Sequence, residues 1–171
     1  MMARNDNRNT APRPVAHPSA RSVRNVMTVA SGKGGVGKTW FSVTLSHALC
    51  RLGRQVLVFD GDLGMANVDI QLGLTPDTDL GQVLSGAATM QQATTIVRAT
   101  GAHIIAGQSG MLRLADAGPE LLRKLHNDLL VLAGQYDHVL LDLSAGVDRA
   151  VRTLATHGGP IIVVTTDEPT A

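Results

Sequence analysis

Ala30-Ser31-Gly32-Lys33-Gly34-Gly35-Val36-Gly37-Lys38-Thr39 follows the apolar run Val26-Met27-Thr28-Val29 and leads into a helical pattern. The order strand, glycine-rich loop, helix points to an α/β fold. Gly32, Gly37, Lys38 and Thr39 satisfy the spacing G-x-x-x-x-G-K-[ST] of a loop that holds a nucleoside triphosphate. Glycines admit positive φ and bring backbone N–H groups close to phosphate oxygens, where a side chain would collide. A helix beginning near Lys38 points its positive dipole end at the same oxygens. Lys38 would neutralise β/γ-phosphate charge, and the Thr39 hydroxyl would sit on Mg²⁺. ATP and Mg²⁺ are therefore the expected ligands. The expected nucleotide contacts are Gly32, Gly34, Gly35, Val36, Gly37, Lys38, Thr39 and Trp40.

Outward from the loop, Phe41, Leu45, Ala48, Leu49 and Leu52 recur at helical spacing, and Gly53 suits the helix end. Val56-Leu57-Val58-Phe59 then reads as a short buried strand that ends at Asp60-Gly61-Asp62. Two carboxylates at the carboxyl end of a parallel strand lie where open α/β sheets place their ligands, and their like charge suggests a nearby cation. Asp137-His138-Val139-Leu140-Leu141-Asp142 is a third buried strand, and its terminal Asp142 is placed to hold Mg²⁺ through water. Between these, Thr78 or Asp79 can cap a short helix through Leu80, Val83 and Leu84, closed by Gly86. Thr95-Ile96-Val97 and His103-Ile104-Ile105 are strand candidates. Leu121, Leu122, Leu125, Leu129 and Leu132 form the stripe of a longer helix, with Pro119 in its first turn and Gly134 at its end. A helix over Val147 to His157 and a strand over Pro160 to Thr166 complete the pattern. The periodicities predict a mostly parallel sheet covered by helices on both faces.

The 171 residues are 44% hydrophobic and 17% charged, enough for one domain with a sizeable core. Aromatics are confined to Trp40, Phe41, Phe59 and Tyr136, so Leu, Val, Ile and Ala must fill that core. Residues 1–25 differ: rich in Arg, Asn, Pro and Ser, they carry +4 and leave −3 for the rest, which predicts a disordered basic arm. A phosphate-loop nucleotide-binding domain is expected over 26–171. A single cysteine, Cys50, excludes an internal disulfide or a C-x-x-C metal pair. No apolar run approaches membrane-spanning length, and the arm has no apolar signal segment. His17, His47, His103, His126, His138 and His157 show no compact metal-ligand spacing and read as structural or exposed.

Lys33, directly after the first loop glycine, is not needed by an ordinary phosphate loop. Gly32-Lys33-Gly34-Gly35-Val36-Gly37-Lys38-Thr39 resembles the deviant Walker A loop of the MinD/ParA family of ATPases, which dimerise around two ATP molecules. The resemblance implies that Lys33 reaches across the dimer to the partner's phosphates, as an arginine finger does. Asp60-Gly61-Asp62-Leu63-Gly64-Met65-Ala66-Asn67-Val68-Asp69-Ile70-Gln71-Leu72-Gly73-Leu74 is similar to the D-A-D-L-G-L-A-N-V-D-x-x-L-G-L stretch of the flagellar-number regulators (the FlhG/FleN group) in that family. Ile104 to Gly110 and Asp167-Glu168-Pro169-Thr170 resemble the same group.

By that match Asp62 is the switch I carboxylate that orients the attacking water, and Asp60 supports the Mg²⁺ region, with Thr39 and Asp142 completing the metal set. Gly61 stands where the group has alanine. Leu143-Ser144-Ala145-Gly146 stands where the family's switch II commonly reads T-x-A-G after its aspartate. The resemblance implies a cytoplasmic ATPase (ATP and water to ADP and phosphate) that homodimerises on ATP. It also implies a flagellar GTPase or transcription regulator as partner and peripheral membrane contact in a full-length form. It covers residues 26 to 171, about the first two thirds of a family domain, so the chain is expected to be a truncated product. No direct nucleic-acid motif is present. MinD-type or ParA-type positioning ATPases remain open, as does a non-catalytic nucleotide-binding fragment. A metal-cluster carrier on the same loop would need cluster cysteines that Cys50 alone cannot supply.

Overall fold

The computed structural model describes residues 24–62, 68–107, 117–156 and 159–167. Expectations that fall on the arm up to residue 23, Leu63 to Asn67, Gln108 to Gly110, His157 and Glu168 to Ala171 lie outside the described residues. In chain order the elements are β1 (Val26–Ala30), α1 (Lys38–Arg51), β2 (Val56–Asp60), α2 (Val68–Leu72), α3 (Leu80–Leu84) and β3 (Thr94–Ile96). They continue with β4 (His103–Ile105), α4 (Pro119–Ala133), β5 (His138–Asp142), α5 (Arg149–Ala155) and β6 (Ile161–Val163). Among the described residues the strands form one sheet in the order β3-β4-β2-β5-β1-β6. All pairings are parallel except β3 with β4. Because β5 lies between β1 and β2, Asp142 stands in register beside Val29 on one side and Asp60 on the other. That arrangement gathers three strand ends beneath the glycine-rich loop.

Strand alternation divides the core into two layers. Leu57, Phe59, Ile105, Val139 and Leu141 pack with Leu122, Leu125, Leu129 and Leu132 of α4 and with Ala150, Val151 and Leu154 of α5. Val56, Val58, Ile104 and Leu140 face the other way and pack with Val68 of α2. A sheet covered on both sides explains why β2 and β5 read as unbroken apolar runs. The leucine stripe of α4 is buried as its spacing predicts, with Pro119 in the first turn and Gly134 as C-cap. Leu122 has no exposed surface. Leu122→Ala is expected to lower the unfolding free energy by about 2–5 kcal/mol, read from urea denaturation, because the cavity cannot collapse between helix and sheet.

Helix α1 departs from its apolar pattern. Leu52 is 75% exposed and Ala48 is exposed, while the residues fully buried on this helix are Lys38, Ser42 and Ser46. Val43, Leu45, Leu49 and Cys50 flank that row and pack against the core. The physical reason is size: a row of serines at i and i+4 spacing lets the helix lie close to β1, β2 and β5. Ser46 meets its polar need locally by donating to the Val43 carbonyl at 2.8 Å. A C-terminal motif closes α1: Gly53 N–H donates to Cys50 O at 2.9 Å and Arg54 N–H to Leu49 O at 3.1 Å, with Gly53 at φ +75.

Other boundaries shift modestly. Asp79 caps α3 in a reciprocal box with Gln82, and Gly86 turns at φ +79. Val147 precedes α5, because the Asp148 carboxylate accepts the Val151 N–H at 2.9 Å and starts the helix there. β6 is shorter than its apolar run, although Val164 N–H still donates to Ala30 O at 2.9 Å. Asn25, which the sequence assigns to the arm, is fastened to the domain. Its side-chain amide donates to the carbonyls of Ala133 at 2.9 Å and Tyr136 at 2.8 Å.

Candidate functional site

The loop between β1 and α1 starts at buried Ser31, whose hydroxyl donates to the Lys33 carbonyl at 2.7 Å and tightens the first turn. Gly146 N–H donates to Ser31 O at 2.9 Å, tying this loop to the segment that follows β5. Gly35 and Gly37 adopt φ of +79 and +96, which L side chains rarely do. A Cβ on Gly34, Gly35 or Gly37 would meet nothing within 4 Å, so space is open beside each of them. Gly37 is the N-cap of α1 and brings no side chain to its first amides. Backbone donors, open space and the positive end of a 14-residue helix thus coincide.

Lys38 is buried at 7% exposure, Thr39 and Lys33 are half-buried, and Trp40 is 65% exposed on the outer side of the first turn. Asp142 is 1% exposed at the end of β5, and neither carboxylate oxygen has a hydrogen-bond partner. Burial pushes its pKa above the usual carboxylate value. The Thr39 hydroxyl and the Lys38 charge oppose that rise, the Asp62 charge adds to it, and the Ser42 hydroxyl opposes it weakly. The Thr39 and Ser42 hydroxyls face the carboxylate without completing hydrogen-bond geometry with it. A buried acid with both oxygens unused is the arrangement a divalent cation would satisfy.

Asp60 is also 1% exposed, but it is engaged. One oxygen accepts the Asp62 N–H at 3.0 Å and the other the Val68 N–H at 3.2 Å. Asp60 thereby fixes the turn that presents half-buried Asp62 and the start of α2. Among the described residues no group of three or more His, Cys, Asp or Glu assembles that could hold a metal. A cation here would draw on Asp142 and the Thr39 hydroxyl, with phosphate and water completing its shell.

Sequence reasoning missed Ser42. It has no exposed surface, and its hydroxyl is unpartnered in front of Asp142. The available signal was arithmetic: Ser42 stands three residues after Thr39 and four after Lys38, hence on the same helix face. The histidines within the described residues stay out of the site. His103 Nδ1 pairs with the Tyr136 hydroxyl at 2.8 Å, their rings edge to face.

Asp142 also supplies a test of opposing effects. A buried carboxyl whose pKa is raised binds its proton more tightly folded than unfolded, so its contribution to stability falls as pH climbs from the ordinary carboxylate value through the raised one. Asp142→Asn removes that charge. The ligand-free variant is expected to melt higher than the parent at pH 7 and no higher at pH 3, while losing the effect of Mg²⁺ on nucleotide affinity. Thermal melts at both pH values and titrations with and without Mg²⁺ check this.

Residues 27–166 match the CobQ/CobB/MinD/ParA nucleotide binding domain. The antiactivator FleN of Pseudomonas aeruginosa is 35% identical over 146 residues, covering 85% of this chain and 52% of FleN. The flagellum site-determining protein YlxH of Helicobacter pylori is 32% identical, over 85% of this chain and 49% of YlxH. Among solved structures, the septum site-determining protein MinD of Pyrococcus horikoshii, complexed with Mg-ADP, superposes with a TM-score of 0.73. It is 34% identical and is matched over 85% of this chain and 59% of that one. The chain spans about half the length of the curated relatives it matches. A matching domain over most of the chain, laid on a mostly parallel sheet with a glycine-rich loop at the end of β1, leaves one assignment: the chain belongs to the MinD/ParA family of nucleotide-binding domains.

Proposed function

We propose that this chain is the nucleotide-binding part of an ATP-driven dimerisation switch that regulates flagellar number or placement. The observation that carries the reading is the pair of unpartnered Asp142 oxygens, 1% exposed, facing Lys38 and Thr39 at the start of α1. The MinD relative bound to Mg-ADP supports the same ligands for this chain. A bound Mg²⁺ would supply neutralisation of the phosphate charge. Thr39 and Asp142 would hold it, with Ser42 behind them and Asp60 fixing the neighbouring turn. Lys38 and the amides of Gly34 to Thr39 would cradle the phosphates, beside Gly32 and exposed Trp40. Asp62 would orient the attacking water, and Lys33 would complete the site of the opposite subunit. The γ-phosphate would then order the Asp62 turn and the 143–146 segment, which couples hydrolysis to surface shape.

FleN and YlxH, together with residues 60–74, support the flagellar role. A MinD-type positioning role is the second reading, favoured by the solved MinD structure. A strain lacking the protein separates them: altered flagellar count supports the first, misplaced septa the second. Partners on this proposal are a second copy and a flagellar GTPase or transcription regulator, with a membrane surface read by the closed dimer. Within the described residues no helix is long and apolar enough to cross a membrane.

Asp62→Ala tests the switch directly. Its Mg-ATP affinity is expected within about twofold of the parent, because the phosphate cradle is untouched, while hydrolysis falls on the order of 100-fold. Parental turnover in this variant would remove Asp62 from the reaction.

A further inference from the structure

Gly61 N–H donates to the Asp142 carbonyl at 2.8 Å, so the pairing of β2 with β5 runs one step past the strands. Beyond that bond lie the turn carrying Asp62 and the segment starting at Leu143. The two are too close for a side chain at 61. A Cβ on Gly61 would stand 2.8 Å from Leu143 Cδ2, 3.4 Å from the Asp142 carbonyl oxygen and 3.5 Å from Phe59 Cε1. Gly61 is not among the glycines with positive φ, so backbone conformation does not demand glycine here. The nearest obstacle is the Leu143 side chain, whose terminal methyl must shift to admit a Cβ. Leu143 is 1% exposed and packs in the same core layer as Phe59, so a shift of its methyl must be taken up by close-packed neighbours.

Both residues depart from the family pattern, and in opposite directions. Position 61 is smaller than the group's alanine, and position 143 is larger and less polar than the common threonine. We infer that Gly61 and Leu143 are one compensated steric pair that sets the spacing between the Asp62 turn and the segment after Asp142, and that Leu143 is thereby a positioning residue for Asp62. Contact between the two nucleotide-facing segments is made by packing and one backbone hydrogen bond. Displacement of either segment is transmitted to the other because close-packed contacts do not deform continuously. The functional half of this inference rests on the role proposed for Asp62, whereas the steric half does not.

A double-mutant cycle in the full chain decides both halves. Leu143→Val keeps an apolar residue but lacks the Cδ2 methyl that would collide. Gly61→Ala is expected to lower the melting temperature by about 5 °C, as overpacking does. It should also lower the rate of Mg-ATP hydrolysis roughly fivefold, a size typical of coupling between neighbouring residues, with Mg-ATP affinity kept within about twofold. Gly61→Ala/Leu143→Val should recover most of both losses. If Gly61→Ala does not fold, a folded double variant supports the pair and an unfolded one overturns it. Parental behaviour of Gly61→Ala, or a double variant equal to the sum of the singles, also overturns it. Recovery of melting temperature without recovery of the hydrolysis rate reduces the contact to packing and refutes the positioning role. If the parent does not hydrolyse ATP, the functional reading fails, and the melting cycle still decides the steric pair.

Discussion

Lys38→Ala is expected to weaken Mg-ATP binding by about 10²- to 10³-fold. Lys38 is buried at 7% exposure and lies close enough to Asp142 to oppose the rise in its pKa. Removing one member of a buried set of opposite charges costs about 3–5 kcal/mol, since the remaining charges lose their compensation without regaining water. The bound triphosphate would be such a charge, and the loop's backbone donors cannot replace a full cation. Isothermal calorimetry checks the expectation. Equal affinities for parent and variant would remove the loop from nucleotide binding altogether.

Lys33→Ala is expected to leave monomeric nucleotide binding within about threefold and to abolish dimerisation and hydrolysis together, the latter by about 10³-fold if the ammonium acts as a finger does. Lys33 sits half-buried on the glycine-rich loop, where its carbonyl accepts the Ser31 hydroxyl at 2.7 Å, which fixes its backbone. Mixing sharpens the test. A Lys33→Ala chain paired with an Asp62→Ala chain contains one site with both groups, because the partner supplies the lysine in trans. Activity near half that of the parental dimer, appearing only in the mixture, is the expected result. Silence despite demonstrated mixed dimers would return Lys33 to a local loop charge.

The phosphate loop, the buried strands and the positions of Asp60, Asp62 and Asp142 were legible in the sequence because each couples a fixed chemistry to a short, fixed spacing. Gly35 and Gly37 then adopt the positive φ that such a loop requires. The stripe of α4 was legible for the same reason, its leucines being both apolar and buried. The buried face of α1 was legible only at its flank, where Leu45 and Leu49 pack against the core, because hydrophobic periodicity does not register a row of serines, and Leu52 at 75% exposure drew the stripe the wrong way. The start of α5 was misplaced by one apolar residue, Val147, because the decision lay with the Asp148 cap. What spacing could not show of Asp60 is that its two oxygens accept the backbone amides of Asp62 and Val68. Ser42 and the Gly61–Leu143 contact depend on which residues from different elements meet, and local spacing carries no record of that.

Sedimentation velocity of the Asp62→Ala chain in Mg-ATP and in Mg-ADP tests the central claim, that the γ-phosphate closes two subunits face to face, without interference from turnover. The account predicts a dimer in Mg-ATP and a monomer in Mg-ADP, with the Mg-ATP dimer lost when Lys33→Ala is added. The same mass in both nucleotides would contradict it.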